Sequence, residues 1–273
     1  MQICDNITVL RAGRTVGSIP VANATEEDIS RFMVGRDVIL KMNKKPAEFG
    51  DTLLKVTDLT YENKEGRKLL DHVSFSLKKG QILGIAGVEG NGQNELAEAI
   101  FGFYSGVKGS ILFDGKEILG KSIRAIRDDG ISYIPEDRIK TGAAGNISLW
   151  GNMIADIIDS PLLKKHGLLN YKNIHERADK LISDFGVLCQ NDDQPIGMLS
   201  GGNMQKVVVA REFSSDPKLL IANQPTRGID VGANEFIWKK IIEQRDAGKG
   251  VILISADLNE IMELSDSILV MCG

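Results

Sequence analysis

The sequence predicts an α/β protein with a mostly parallel sheet, an N-terminal antiparallel β layer and a helical insertion. Three observations lead there. ISYIP (131–135), KLLIAN (218–223), VILIS (251–255) and SILVM (267–271) are short unbroken apolar runs, the last three separated by helical stretches, as strands of a parallel sheet covered on both faces read. LLKVTDLTY, HVSFSLKKG and QILGIAG alternate apolar and polar positions, the pattern of half-buried antiparallel strands. Between these regions, NIHERADKLISDFG (173–186) puts Ile174, Ala178, Leu181, Ile182 and Phe185 on one helical face.

The elements follow in order. The opening ICDNITVLRAG repeats the closing LSDSILVMCG: aligning Asp5 with Asp266 pairs Ile3 with Leu264, Ile7 with Ile268, Val9 with Val270 and Leu10 with Met271. Self-similarity at long period signals tandem related domains, so residues 1–46 are expected to be the tail of a preceding homologous domain plus a linker, and residues 47–273 the main domain. TEEDISRFMVGRDV (25–38) reads as a closing helix capped by Thr25, with Glu27 and Asp28 in its first turn, and KMNKKPAEFGD (41–51) as a polar linker. KKG (78–80) reads as a hairpin turn, and Asp114-Gly115 in ILFDGKEI as a two-residue hairpin. Residues 143 to about 200 read as a mostly helical insertion.

At 273 residues the chain can bury one substantial core, or one domain with an appendage. Its 26% charged and 42% hydrophobic residues place it among globular proteins rather than disordered ones. A net charge of −4 argues against a nucleic-acid binder, which carries a basic surplus. No apolar run is long enough to cross a bilayer, and no signal peptide is visible at the polar start. Cys4, Cys189 and Cys272 stand far apart in no CxxC pattern; they fit a reducing compartment and core positions, not a disulfide frame or a metal site. His72, His166 and His175 are scattered and read as structural or surface residues.

The chemistry concentrates in GVEGNGQNEL (87–96). This is nearly the phosphate-binding pattern G-x-x-x-x-G-K-[ST], but Gln93 stands at the lysine position and Asn94 at the Ser/Thr position. The strand QILGIA precedes it and the helix QNELAEAIFG follows, a junction where backbone N–H groups cradle phosphate. No G-x-G-x-x-G fits residues 84–96, which removes a Rossmann fingerprint. The loop alone admits two readings, a phosphate cradle or an ordinary glycine-rich turn.

Downstream, LSGGNMQK (199–206) opens a helix and KLLIANQPTRGIDVGA (218–233) follows it. In order and spacing, from roughly residue 52 to the end, these segments resemble the nucleotide-binding domain of the ATP-binding cassette (ABC) transporter family, which has a P-loop NTPase core. The resemblance implies a nucleotide loop of Gly87, Val88, Glu89, Gly90, Asn91, Gly92, Gln93, Asn94 and Glu95, with Tyr61 as the aromatic that stacks adenine. It also implies a Walker B strand ending at Asn223, a Q-loop YIPEDR with Glu136 at the glutamine position, and a D-loop of Gly228, Ile229 and Asp230. Leu199, Ser200, Gly201, Gly202 and Asn203 form its signature, with asparagine replacing the usual glutamine.

The departures share a direction. Gln93 removes the cation on the β/γ-phosphates, and a hydrogen bond from a charged group is about twice as strong as a neutral one. Glu89 and Glu95 add negative charge nearby, and Asn94 lacks the hydroxyl that ligates Mg²⁺. Asn223 replaces the metal-shell aspartate, Gln224 the general-base glutamate and Ala256 the switch histidine, so none of these positions is expected to be catalytically competent. No metal ligand is expected in this domain.

In the family two such domains face each other head to tail, and each ATP lies between one domain's Walker motifs and the other's signature. Ser200, Gly201 and Gly202 at a helix N-terminus then present N–H groups to the γ-phosphate of the partner's ATP, and Asp230 reaches across the same interface. Drift in a dead fold would erode LSGG together with the lysine; here one composite site alone is stripped. PEDR followed by QPTRGIDVGA is similar to the second cassette of tandem simple-sugar and nucleoside importers, and GNGQNELAEAI, ANQPTRG and ANEFIWKKIIEQRDAGK are most similar to the nucleoside branch.

The resemblance therefore implies weak ATP binding here and Mg²⁺ at the partner site. The implied partners are an N-terminal cassette of the same polypeptide, transmembrane permease subunits and, indirectly, a substrate-binding lipoprotein, with no nucleic acid. The implied place is the cytoplasmic face of the plasma membrane, with docking at Glu136, Asp137 and Arg138 beside residues 143–190. Two alternatives stand beside it: a self-sufficient ATPase in which Glu136 replaces the missing carboxylate, and a soluble cassette protein outside transport.

Overall fold

The computed structural model describes residues 4–11, 13–35, 42, 44–165 and 167–272. From the start the chain forms β1 (Asn6–Arg11), β2 (Arg14–Pro20), α1 (Glu26–Val34), β3 (Thr52–Glu62), β4 (Lys68–Lys78), β5 (Ile82–Ala86), α2 (Gln93–Ile100), β6 (Lys108–Phe113), β7 (Lys116–Glu117), α3 (Ile123–Asp128) and β8 (Ile131–Ile134). It continues through α4 (Leu149–Met153), β9 (Lys164–Lys165), β10 (Leu168–Leu169), α5 (Tyr171–Asp184), α6 (Gly201–Ser214), β11 (Leu219–Asn223), α7 (Val231–Asp246), β12 (Gly250–Ile254), α8 (Leu258–Leu264) and β13 (Ser267–Val270).

A five-stranded parallel sheet in the order β13-β5-β12-β11-β8 forms the centre, and β4-β3-β6-β7 form the antiparallel layer. The α/β class read from the sequence is the class observed. Both faces of β5, β8, β11 and β12 are covered, which is why these strands lack alternation. The edge strand β13, read from its apolar run as equally covered, instead exposes Ile268 and Val270. Leu219, Ile221, Ile252 and Ile254 pack with β3, β4, β6 and α2 on one side. Leu220, Ala222, Val251 and Leu253 pack with α5, α6, α7 and α8 on the other.

Three expectations need correction. QILGIAG does not belong to the antiparallel layer: β5 pairs in parallel with β12 and β13. Ile82, Leu83 and Ile85 are all buried, so the apparent alternation came from Gly84, not from a solvent face. KKG is accordingly no hairpin turn; it carries the chain from one sheet to the other. Cys4 and Cys272 are exposed rather than in the core, whereas Cys189 is partly buried against it.

Other local readings match the coordinates. Asp114 and Gly115, at φ 48° and 78°, make the β6–β7 turn, with Phe113 paired to Lys116. Thr25 Oγ1 accepts from the Asp28 amide, and the Asp28 carboxylate accepts from the Thr25 amide, a reciprocal cap on α1. In α5, Ile174, Ala178, Leu181 and Phe185 are buried and Ile182 partly so. Between residues 143 and 200 lie α4, α5, short 3-10 turns and the β9–β10 hairpin. Ile3 and His166 lie outside the described residues.

The stretch before β3, polar in sequence, is fastened to α7 and to the end of α8. Glu263 accepts from the Met42 amide at 3.2 Å, Lys44 Nζ donates to the Ser265 carbonyl at 2.8 Å, and Arg245 donates to the Lys45 carbonyl at 2.8 Å. Arg245 is itself buried and paired with Asp266 at 2.9 Å, so the backbone carbonyl completes a buried cation's shell.

A second buried charge group joins the helices to the sheet. Glu212 of α6 is fully buried, and its carboxylate accepts a two-pronged bond from Arg127 of α3 at 2.9 and 3.0 Å. It also accepts from Arg211 Nε at 2.8 Å and from the Tyr133 amide of β8 at 3.2 Å. Among the described residues, no helix is long and apolar enough to cross a membrane.

Candidate functional site at the carboxyl ends of the parallel strands

β5, β8, β11 and β12 end on the same side of the sheet, and the segments leaving them enclose a cleft of about 220 Å³. Crevices at the carboxyl ends of open parallel sheets are where such folds bind ligands. Gly87, Glu89, Gly90, Gln93, Asn94 and Glu95 line it from the loop and α2. Glu136, Asn223, Gln224, Ile254, Ser255 and Ala256 complete it.

The loop keeps the backbone that a phosphate cradle needs. Gly92 caps α2 at φ 92°, and a Cβ there would meet the Leu69 carbonyl at 2.6 Å, so no other residue fits. What the loop lacks is a cation. Gln93 is buried and donates from Nε2 to the Val88 carbonyl at 3.1 Å, so its amide closes the loop on itself. Asn91 donates to the Met271 carbonyl at 3.3 Å, and Val88 is exposed.

Behind the loop, Asn223 donates from Nδ2 to Asn94 Oδ1 at 2.7 Å. The resemblance assigns these two positions to the metal-shell aspartate and the metal-binding hydroxyl; here two neutral amides satisfy each other. Gln224, at φ 51°, accepts from the Ala256 amide at 3.1 Å, which ties together the two positions that the resemblance assigns to the general base and the switch. No lysine, arginine or histidine is among the described residues lining the cleft, while Glu89, Glu95 and Glu136 are.

These residues do not fit a catalytic divalent cation. The positions that the resemblance assigns to the metal are Asn223 and Asn94, neutral amides that already bond each other. Among the described residues, the one cluster of three close-set metal-type ligands is His175, Asp192 and Asp193, outside the cleft lining. There His175 and Asp192 bond each other at 2.5 Å, and Asp193 accepts from Trp150 Nε1 at 2.9 Å.

Tyr61 stands apart from the cleft lining. Its ring stacks on Tyr104, centroids 4.4 Å apart, so one face is already covered by a side chain of the same chain. Glu136 lines the cleft but is paired with Arg227.

The signature residues form a second surface. Ser200 caps the 14-residue α6, its Oγ accepting from the Asn203 amide at 3.4 Å and from Asn203 Nδ2 at 3.0 Å. Asn203 Oδ1 also accepts from the Leu188 amide at 2.9 Å, which fastens the segment before the signature to the helix. Leu199 and Ile229 pack on the core. Asp230 caps α7, accepting from the Ala233 amide at 2.9 Å, and its carboxylate lies beside Gly202. Gly228 turns the chain at φ 65°. Ser200, Gly201, Gly202, Gly228 and Asp230 are thus brought together with two helix N-termini side by side, an arrangement that favours an anion in front of α6.

Glu260, on α8 behind these loops, was not singled out in the sequence. It is fully buried and accepts from Thr226 Oγ1 at 2.9 Å and Trp238 Nε1 at 2.7 Å, joining the segments after β11 and β12 to α7. Burial pushes its carboxyl above the usual glutamate range. The folded chain therefore holds this proton more tightly than the unfolded one, and stability falls as pH rises from the ordinary glutamate value through the raised one. Glu260→Gln, which cannot ionise, is expected to flatten that part of a melting-temperature-against-pH curve; an unchanged slope would contradict the assignment.

Comparison with known proteins agrees with this geometry. The family described as ABC transporter matches residues 70–227, more than half of the chain. The glucose import ATP-binding protein of Haloferax volcanii is 40% identical over 270 residues, 98% of this chain and 49% of that protein. The guanosine import ATP-binding protein of Bacillus subtilis is 40% identical over 268 residues, 98% of this chain and 52% of that protein. The chain spans about half the length of the curated relatives it matches. A crystal structure of a nucleotide-free ATP-binding cassette from an ABC transporter superposes with a TM-score of 0.68 at 26% identity, covering 81% of this chain and 88% of that one. Sequence motifs, strand order and relatives agree, and the chain belongs to the ABC transporter family as an ATP-binding domain with the P-loop NTPase fold.

Proposed function

We propose that this chain is the second, degenerate cassette of a tandem importer ATPase for nucleosides or simple sugars, and that it donates its signature to an ATP held by the first cassette. Residues 1–46 are then the end of that first cassette with its linker, and residues 47–273 the second. The observation that carries the reading is the asymmetry between the two surfaces. The cleft has its cation and metal positions closed by amide–amide bonds, while the N-terminus of α6 keeps a capped, glycine-lined approach. Relatives about twice as long, named for glucose and guanosine import, support the tandem arrangement and the solute class.

On this reading ATP binds weakly in the chain's own cleft, Mg²⁺ acts at the partner site, and hydrolysis happens there. The chain works at the cytoplasmic face of the plasma membrane with permease subunits that meet Glu136, Asp137, Arg138 and the neighbouring residues 143–190, and a substrate-binding lipoprotein delivers solute. A self-sufficient ATPase using Glu136 as base is disfavoured by the pairing of that carboxylate with Arg227. A role on nucleic acid is disfavoured by the net charge of −4. An arginine at Ser200 in the longer protein is the test: loss of turnover supports the reading, and normal turnover ends it.

A further inference from the structure

Three motifs meet at Arg138. Its Nη1 donates to the Arg227 carbonyl at 2.6 Å, and a Cβ on Gly201 would lie 2.6 Å from its Nη2, so the guanidinium rests directly on the first residue of the signature helix. A Cβ on Gly228 would lie 3.4 Å from the same nitrogen. No carboxylate lies within salt-bridge distance of Arg138 among the described residues, so no ion pair draws it elsewhere.

The fastening is reciprocal. The residue whose carbonyl Arg138 grips, Arg227, sends its own side chain back to Glu136, two positions before Arg138. Asp137 between them caps the following turn, accepting from the Ile139 and Lys140 amides at 2.9 and 3.0 Å, which fixes the direction in which residues 136 and 138 leave β8. These residues line a second cleft of about 500 Å³ with Glu89, Ile139 and Gly228, and Glu89 and Glu136 line both clefts.

We propose that Glu136, Arg138 and Arg227 form a positioning clasp that sets the geometry of the donated signature surface. The segment after β8 is thereby coupled to α6 and to the residues before α7 by side chains of this chain, at the edge of its own cleft. Side chains join these segments, and a partner that shifts residues 136–138 moves the α6 N-terminus with them. The inference rests on signature donation and names how that surface is held.

A charge-swap cycle in the longer protein tests it, with ATP as the probe and released phosphate as the readout. Glu136→Arg and Arg227→Glu are each expected to lower kcat about fivefold or more while KM for ATP stays nearly constant, because the nucleotide's own contacts lie on the partner. The double variant, with the pair restored in reverse, is expected to recover most of the lost kcat. Should the charged single variants melt early, Glu136→Gln and Arg227→Gln replace them, and the double must then lose no more than either single. Unaltered turnover in the singles, or losses that simply multiply in the double, would overturn the clasp. Ser200→Arg in the same assay separates the two ideas: its normal turnover removes signature donation itself, whereas its loss together with multiplying clasp losses removes only the clasp.

Discussion

Ser200→Arg is expected to lower ATP hydrolysis by the longer protein about 100-fold or more, the range seen when one preorganised donor to a developing charge is lost. Ser200 is exposed at the head of α6, and Gly201 and Gly202 beside it carry no side chain that would shield the helix N-terminus. An arginine there fills the space in front of those N–H groups and turns its own guanidinium into the phosphate's position. The fold should survive, because what Ser200 supplies internally is a cap, worth about 1 kcal/mol. Ser200→Ala separates the effects: it removes the cap and leaves the approach open, so much of the turnover should remain. Phosphate release and thermal melting on both variants check the expectation, and full activity in the arginine variant would contradict it.

Glu212→Ala is expected to destabilise the chain by about 3–5 kcal/mol, the usual result of removing one member of a buried ion group. The loss leaves Arg127 and Arg211 without their shared acceptor and the Tyr133 amide without a partner. Against a total stability of about 5–15 kcal/mol, this is enough to leave a large unfolded fraction at moderate denaturant. Because the group joins α3, β8 and α6, the loss should appear as one cooperative shift of the denaturation midpoint. A shift equivalent to less than about 1 kcal/mol, the worth of one ordinary hydrogen bond, would show that the two arginines find other acceptors.

The parallel core was legible because β8, β11 and β12 present continuous apolar runs, and both faces of such strands must be covered. β13 reads the same way in sequence, yet at the sheet edge it leaves Ile268 and Val270 exposed. β5 misled for a physical reason: Gly84 interrupts its apolar run, and a glycine in a central strand looks like a polar alternation although it faces no water. The DG turn was legible because two successive positive φ values restrict the residues severely. In the site, the chemical losses at Gln93, Asn94, Asn223, Gln224 and Ala256 were visible residue by residue. Their pairing was not, since Asn94 and Asn223 are far apart in sequence and meet only because β5 and β11 both flank β12. Arg138 and Arg227 likewise read as loop residues until the ends of β8 and β11 bring them together. Tyr61 was placed by resemblance, and no sequence pattern signalled that Tyr104 stacks on it.

The most direct measurement is a calorimetric titration of the 273-residue chain with ATP, once with Mg²⁺ and once with a chelator. A cleft whose loop amide closes on Val88 and whose metal positions bond each other should bind with a Kd of about 1 mM or weaker, the same in both conditions. A Kd near 1 μM that depends on Mg²⁺ would show that the neutral side chains open to admit the ion and would contradict the account.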